Sequence, residues 1–278
     1  MAVWSHPGFS VREGLESEQD RIAFASRFIL EQLGINVEES GDTFLEEMLS
    51  RFKGRFPKTR VFSEYARNTL SDISPLDNPD AALMSWMERE EILFRILEKH
   101  LIVEQLSSGS FFIKENSSGK PDVDVDGFMK YSLSIQNRRK SRVGQALENH
   151  IEELFKSRNI RFDRTTVTEN KSKPDFIFPG IDEYRDRAFN VTLLTMLGVK
   201  STCKDRWRQV LSEAERIPDK HLLTLETAIS ENQTNEMQSQ NLQLVVPTAI
   251  ANTYSERQQK WLMSVADFIK LVITRQKD

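Results

Sequence analysis

Three charged side chains in this sequence are of the types, and in the order, needed to hold a divalent cation beside a phosphodiester. Asp175 follows Lys173-Pro174, Lys200 closes the apolar run Ala188–Val199, and Glu213 follows one short helix later. Phosphodiester hydrolysis requires neutralisation of developing charge, a source of hydroxide near neutral pH, and oriented phosphate oxygens. Asp175 is a hard oxygen ligand of the kind Mg²⁺ takes, and Pro174 keeps the chain extended as it enters the turn. The Lys200 ammonium, at a strand end, can stand near the attacking water or the scissile phosphate. Glu213 shares a helical face with Arg206, Gln209 and Val210. It reaches Lys200 only if that helix folds back along the strand; otherwise it is a solvated glutamate.

Directly behind the lysine comes Lys204-Asp205-Arg206. Lys and Arg donate to O6 and N7 of guanine and Asp accepts from N4 of cytosine, so the triplet can read neighbouring G·C pairs in the major groove. The alternative is a helix start with Thr202 as cap and Asp205 opposing the dipole. That explains Asp205 but not two cations at the positive end of a helix. Arg139 and Arg142, in Arg138-Arg139-Lys140-Ser141-Arg142, either grip phosphates or form a solvated face.

The elements that must place these residues read as follows. Ser17-x-x-Asp20 opens a helix that stops at Gly34, and Thr43–Lys53 forms a second that stops at Gly54. Asn78-Pro79 supplies an N-cap and first-turn proline for a long helix through Leu101. Residues 1–75 are expected to be a helical N-terminal region and 76–278 the catalytic domain. A basic-led helix covers Arg139–Lys156, with strands expected near Arg161–Val167, at Asp175–Phe178, along Ala188–Leu197, at His221–Leu225 and at Leu242–Val246. Helices are expected over Lys204–Arg216 and Ser255–Thr274. Strands separated by helices predict an α/β fold with a mixed central sheet flanked by helices.

Composition narrows the class. A chain of 278 residues with 38% apolar residues and 17 Phe builds a packed core rather than a disordered coil. No run approaches the roughly 18 apolar residues that span a bilayer, and the first residues lack the basic start and apolar core of a leader. The single cysteine, Cys203, excludes an intramolecular disulfide and a multi-cysteine zinc cluster and fits a reducing cytoplasm. Net charge is −4, yet Arg138–Arg208 holds 16 Lys and Arg against 10 Asp and Glu. A local cationic surface of that kind is what phosphate contacts need.

The Lys200–Glu213 block resembles the PD-(D/E)xK nucleases, and within them the restriction endonucleases of the EcoRII, PspGI and SsoII group. The common pattern places its second acid two residues before the lysine, which here is Gly198; in this group a Glu on the following helix replaces it, and Glu213 occupies that place. The resemblance also maps a helical Glu of the group onto Glu148, in Gln145-Ala-Leu-Glu148, and a site tyrosine onto Tyr184. From the residues alone, Glu148 borders the stripe Gly144, Leu147, Ile151 and Phe155 and can equally be a helix-edge salt bridge, and Tyr184 can be an exposed loop residue. The likeness runs from Gln136 to Pro247, about 40% of the chain. It implies a Mg²⁺-dependent homodimer cutting double-stranded DNA at a CC-N-GG or CC-A/T-GG site ahead of the first C, with uninterrupted CCGG as the alternative, in a prokaryotic cytoplasm.

Other signals carry less. Lys120-Pro121-Asp122-Val-Asp124-Val-Asp126-Gly127 imitates an EF-hand loop, but its twelfth position is Leu133 rather than Glu. His6, His100, His150 and His221 have no ligand spacing, and no glycine-rich phosphate loop is present, so no nucleotide cofactor is expected. A repair nuclease would keep Asp175 and Lys200 without needing the triplet. A non-cleaving DNA-binding module would bind without Mg²⁺.

Overall fold

The computed structural model describes residues 42–70, 72–108, 114–115, 121–122, 124–203 and 206–277. The expected Ser17–Gly34 helix lies outside them. The described elements fall into two compact units, one drawn from residues 1–56 and 92–136, the other from 57–91 and 137–278.

In the first unit, helix α1 (Asp42–Phe52) stops at Lys53 and Gly54, both at positive φ, as the glycine predicts. Ile102, Leu106 and Ile135 form its small apolar cluster, with Phe128 and Tyr131 against it. Helix α2 (Thr59–Asn68) belongs to the second unit. Helix α3 (Pro79–Ser107) starts where the proline predicts, with the Asn78 side chain accepting from the Ala81 N–H at 3.0 Å. Strands β1 (Lys114–Glu115) and β2 (Pro121–Asp122) pair antiparallel, and Asp124 accepts from the Gly127 N–H at 2.9 Å at the start of helix α4 (Val125–Lys156). The EF-hand-like stretch is thus a hairpin arm followed by a helix cap.

The second unit holds the sheet: β3 (Asp163–Arg164), β4 (Phe176–Phe178), β5 (Thr195–Lys200), β6 (Lys220–Thr224) and β7 (Leu242–Val245), in that order. β3/β4 and β4/β5 are antiparallel, while β5/β6 and β6/β7 are parallel, so the sheet is mixed as expected. Alternate residues face opposite layers. Phe176, Phe178, Leu197, Val199, Leu223 and Val245 meet Leu147, Ile151 and Phe155 of α4 and Phe268 and Val272 of the last helix. Ile177, Met196, Leu222, Leu242 and Leu244 meet Trp207, Val210, Met237 and Tyr254 on the other face. Helices therefore cover both faces.

Between the strands stand the short helices α5 (Ile181–Arg185), α6 (Trp207–Leu211) and α7 (Glu231–Ser239), and after β7 come α8 (Thr248–Ala251), α9 (Glu256–Gln259) and the longer α10 (Val265–Lys277). Three expectations shift. The apolar run begins with a 3₁₀ turn at Val191–Leu193, capped by Asn190, so the strand starts only at Thr195. The helix expected to reach Arg216 stops at Leu211, and Ala214 takes φ +47°. The helix expected over Ser255–Thr274 is broken because Met263 docks on the sheet edge: its N–H donates to Leu244 O at 3.1 Å and its O accepts from Val246 N–H at 2.9 Å. Ladder pairing overrides helical periodicity there.

Candidate active site

Antiparallel pairing of β4 with β5 sets the start of one strand beside the end of the other. Phe176 opposes Leu197, so Asp175, one residue earlier, comes opposite Gly198 and next to Val199 and Lys200. Asp175 Oδ2 accepts from the Val199 N–H at 2.6 Å and from Lys200 Nζ at 2.8 Å. Both side chains are mostly buried, 14% and 15% exposed, so the pair is only partly screened.

Glu213 joins them. Its carboxyl is pushed up to about 7, first by burial, with the Lys200 charge opposing and Asp175 adding to the rise. Its Oε2 is buried without a hydrogen-bond partner. The helix does fold back along the strand, because Gly198 lets Val210 come close: a Cβ at 198 would meet the valine methyls at 3.0 and 3.1 Å.

Glu148, on α4, lies within electrostatic reach of Asp175 and Lys200. Its carboxyl is raised by burial and by Asp175, against the hydrogen bond from Arg164. Arg164, on β3, donates from one nitrogen to Glu148 Oε2 at 2.6 Å and from the other to Glu152 and to Asn149 Oδ1. The helix-edge salt bridge and the proximity to the site thus hold together. Arg164 itself was not anticipated; a lone arginine in a two-residue strand carries no motif.

The family described as EcoRII C terminal matches residues 94–269. The type II restriction enzyme EcoRII of Escherichia coli is 37% identical over 208 residues, 74% of this chain and 47% of that protein. The chain belongs to the EcoRII C-terminal family. It spans about half the length of EcoRII. Among solved structures, metal-depleted Ecl18kI in complex with uncleaved DNA covers 86% of each chain with a TM-score of 0.66 and 21% identity. A complex of the restriction endonuclease PspGI with substrate DNA covers 86% of this chain and 93% of that one, with a TM-score of 0.56 and 15% identity. At those identities the likeness is one of fold, a restriction-endonuclease-like core.

The remaining residues singled out in this EcoRII-family chain are placed differently. Tyr184 is buried, not an exposed loop residue; its hydroxyl bonds Glu169 and accepts from the Arg216 N–H at 3.3 Å, on the face of the sheet lined by Ile177 and Met196. Burial and Glu169 raise its hydroxyl pKa. Arg142 points inward, 3.6 Å from buried Glu90 and stacked over Phe62 at 4.4 Å. Arg139 is half-buried and Arg206 exposed, the latter leading into α6. Lys204 and Asp205 lie outside the described residues. Cys203 is buried, its thiol pushed up to about 12 by burial and by Glu226, which excludes a ready thiolate nucleophile.

Proposed function

We propose that this chain is a type II restriction endonuclease, hydrolysing double-stranded DNA with Mg²⁺ at a near-palindromic site of the CCNGG or CCWGG type, as a homodimer in the cytoplasm of a prokaryote. The observation that carries the reading is the unpartnered carboxylate oxygen of Glu213 beside the Asp175–Lys200 pair. A buried carboxylate with no donor is costly unless a cation meets it, so the donor set fits a hard divalent ion. Among the described residues no group of three or more His, Cys, Asp or Glu encloses an ion alone. Mg²⁺ suits such a site, because it binds through one or two carboxylates and takes substrate phosphate and water for the rest.

Asp175 and Glu213 would hold the ion, which when bound neutralises charge at the scissile phosphate and lowers the pKa of water. The chain's own residues do the positioning. The Val199 N–H and Lys200 Nζ both bond Asp175 Oδ2 and hold the carboxylate in place, so its Oδ1 would be the oxygen left for an ion. The Lys200 ammonium, bonded to Asp175, would donate to a phosphate oxygen or orient the attacking water. Glu148, fixed through its Oε2 by Arg164, would be a further carboxylate near the ion. Lys204, Asp205 and Arg206 would read the G·C pairs, and two copies related by a twofold axis would read CC on one side and GG on the other.

Plasmid digestion tests the reading. Discrete fragments with Mg²⁺, none with EDTA, and five-base 5′ overhangs beginning CC are expected. Four-base overhangs would move the target to CCGG, and fragment ends without any CC/GG pairing would defeat both. Discrete binding without cleavage would make the chain a DNA-binding module.

A further inference from the structure

The relocated acid poses a mechanical problem. Glu213 follows a helix of only five residues and precedes Ala214 at φ +47°; its N–H donates to Val210 O at 3.1 Å, but neither helix nor strand continues past it. Its carboxylate oxygen Oε2 has no hydrogen-bond partner to fix it from the other end. Something else must keep it aimed at Asp175.

Lys220 does this from the first position of β6. Its Nζ donates to Glu213 O at 2.6 Å, Ala214 O at 3.0 Å and Ile217 O at 3.0 Å. An ammonium has three N–H donors and no acceptor, and here each finds a carbonyl of one turn. The residue is 7% exposed, and burying an ammonium is unfavourable unless its donors are met in this way. All three carbonyls lie beyond the end of α6, on the turn that leads into β6, where Ala214 O also accepts from the Ile217 N–H at 2.9 Å. The backbone of Lys220 is itself fixed, its N–H donating to Asn241 O at 3.0 Å and its register set against Leu242 of β7. The turn is thus anchored to the centre of the sheet, while Val210 against Gly198 anchors the preceding helix.

We infer that Lys220 is a positioning residue for the metal site, clamping the 213–217 turn so that the Glu213 carboxylate is held ready for a divalent cation. This rests on the reading of Glu213 as a ligand. A methionine would fill the same volume, so a space-filling role alone does not require a lysine. What the lysine adds is three fixed hydrogen bonds to the segment that carries the acid.

Mn²⁺ binding to the free full-length chain, followed by the paramagnetic resonance of the unbound ion, tests the clamp without relying on cleavage. Loss of a group that orients a ligand weakens metal affinity roughly 10- to 100-fold. Lys220→Met is expected to bind Mn²⁺ at least tenfold more weakly, and Lys220→Met/Glu213→Ala no more weakly than Glu213→Ala alone. Lys220→Gln, which keeps two donors, replaces Lys220→Met if thermal unfolding shows the latter unfolded, with the same expectation. Wild-type Mn²⁺ affinity in the lysine variants, or losses that add in the double variant, would overturn the clamp and leave Glu213 standing as a ligand. Wild-type affinity in Glu213→Ala would instead remove Glu213 from the metal site, and the clamp with it.

Discussion

Val210 rests its two methyl groups 3.0 and 3.1 Å from where a Cβ on Gly198 would stand. The common nuclease pattern has its second acid at that position. Here the space belongs to the helix that leads into Glu213. Absence of an acid at 198 and presence of one at 213 are therefore a single structural arrangement.

Gly198→Ala should push that helix outward. We expect a loss of about 1–3 kcal/mol in stability, the usual range for overpacking, and a drop in cleavage larger than the change in DNA binding. Val210→Ala in the same chain should recover part of both. Gly198→Glu, which would write the common pattern, should not restore cleavage to a Glu213→Ala enzyme. Denaturant unfolding and single-turnover cleavage check these outcomes.

Arg142 and Arg206 should behave differently. Arg142→Ala leaves Glu90 buried without that cation; breaking a buried pair destabilises by about 3–5 kcal/mol, so its effect should appear in unfolding and not in the salt dependence of DNA binding. Arg206→Ala should leave stability alone and cost about 1–3 kcal/mol of discrimination at one G·C pair. Equal loss on specific and random duplexes for Arg206→Ala would make the triplet a phosphate clamp.

Arg164→Met should release Glu148, Glu152 and Asn149 together. Cleavage should fall with little change in DNA binding measured in EDTA. Arg164→Lys, which can serve one carboxylate but not both, should recover only part of the rate. Full activity in Arg164→Met would show that Glu148 needs no such support.

His221 gives a pH signature away from the site. Burial, and then the Arg275 charge, push its imidazole down to about 4, and its ring lies 5.2 Å from that of Phe268. A histidine held neutral by the fold contributes stability that is present above its unfolded pKa, about 6.5. That contribution is lost as pH falls toward about 4, because the unfolded chain takes up the proton first. His221→Leu should therefore lose less stability than the wild type between pH 7 and pH 4.5, as followed by urea unfolding at each pH.

Much of this was legible in the residues. Short apolar runs located β4, β6 and β7 to within a residue or two, and Asn78-Pro79 marked the start of α3. What sequence periodicity missed was decided by contacts distant in the chain: Met263 leaving a helical run to pair at the sheet edge, and Ala214 ending a helix early. At the site, Asp175 and Lys200 stood out by type and place. Glu213 needed the fold, since nothing local distinguishes it from a solvated glutamate. Arg164 and Lys220 left no signal, because each acts on groups that only the sheet brings within reach.

We propose that the Asp175–Lys200–Glu213 cluster performs the hydrolysis while other residues choose the sequence. The most direct measurement compares Asp175→Ala with wild type on a duplex carrying the mapped site, scoring bound fraction and Mg²⁺-dependent cleavage in the same samples. Specific binding retained with cleavage reduced below detection is the result this account predicts. Cleavage by Asp175→Ala at the wild-type rate would contradict it.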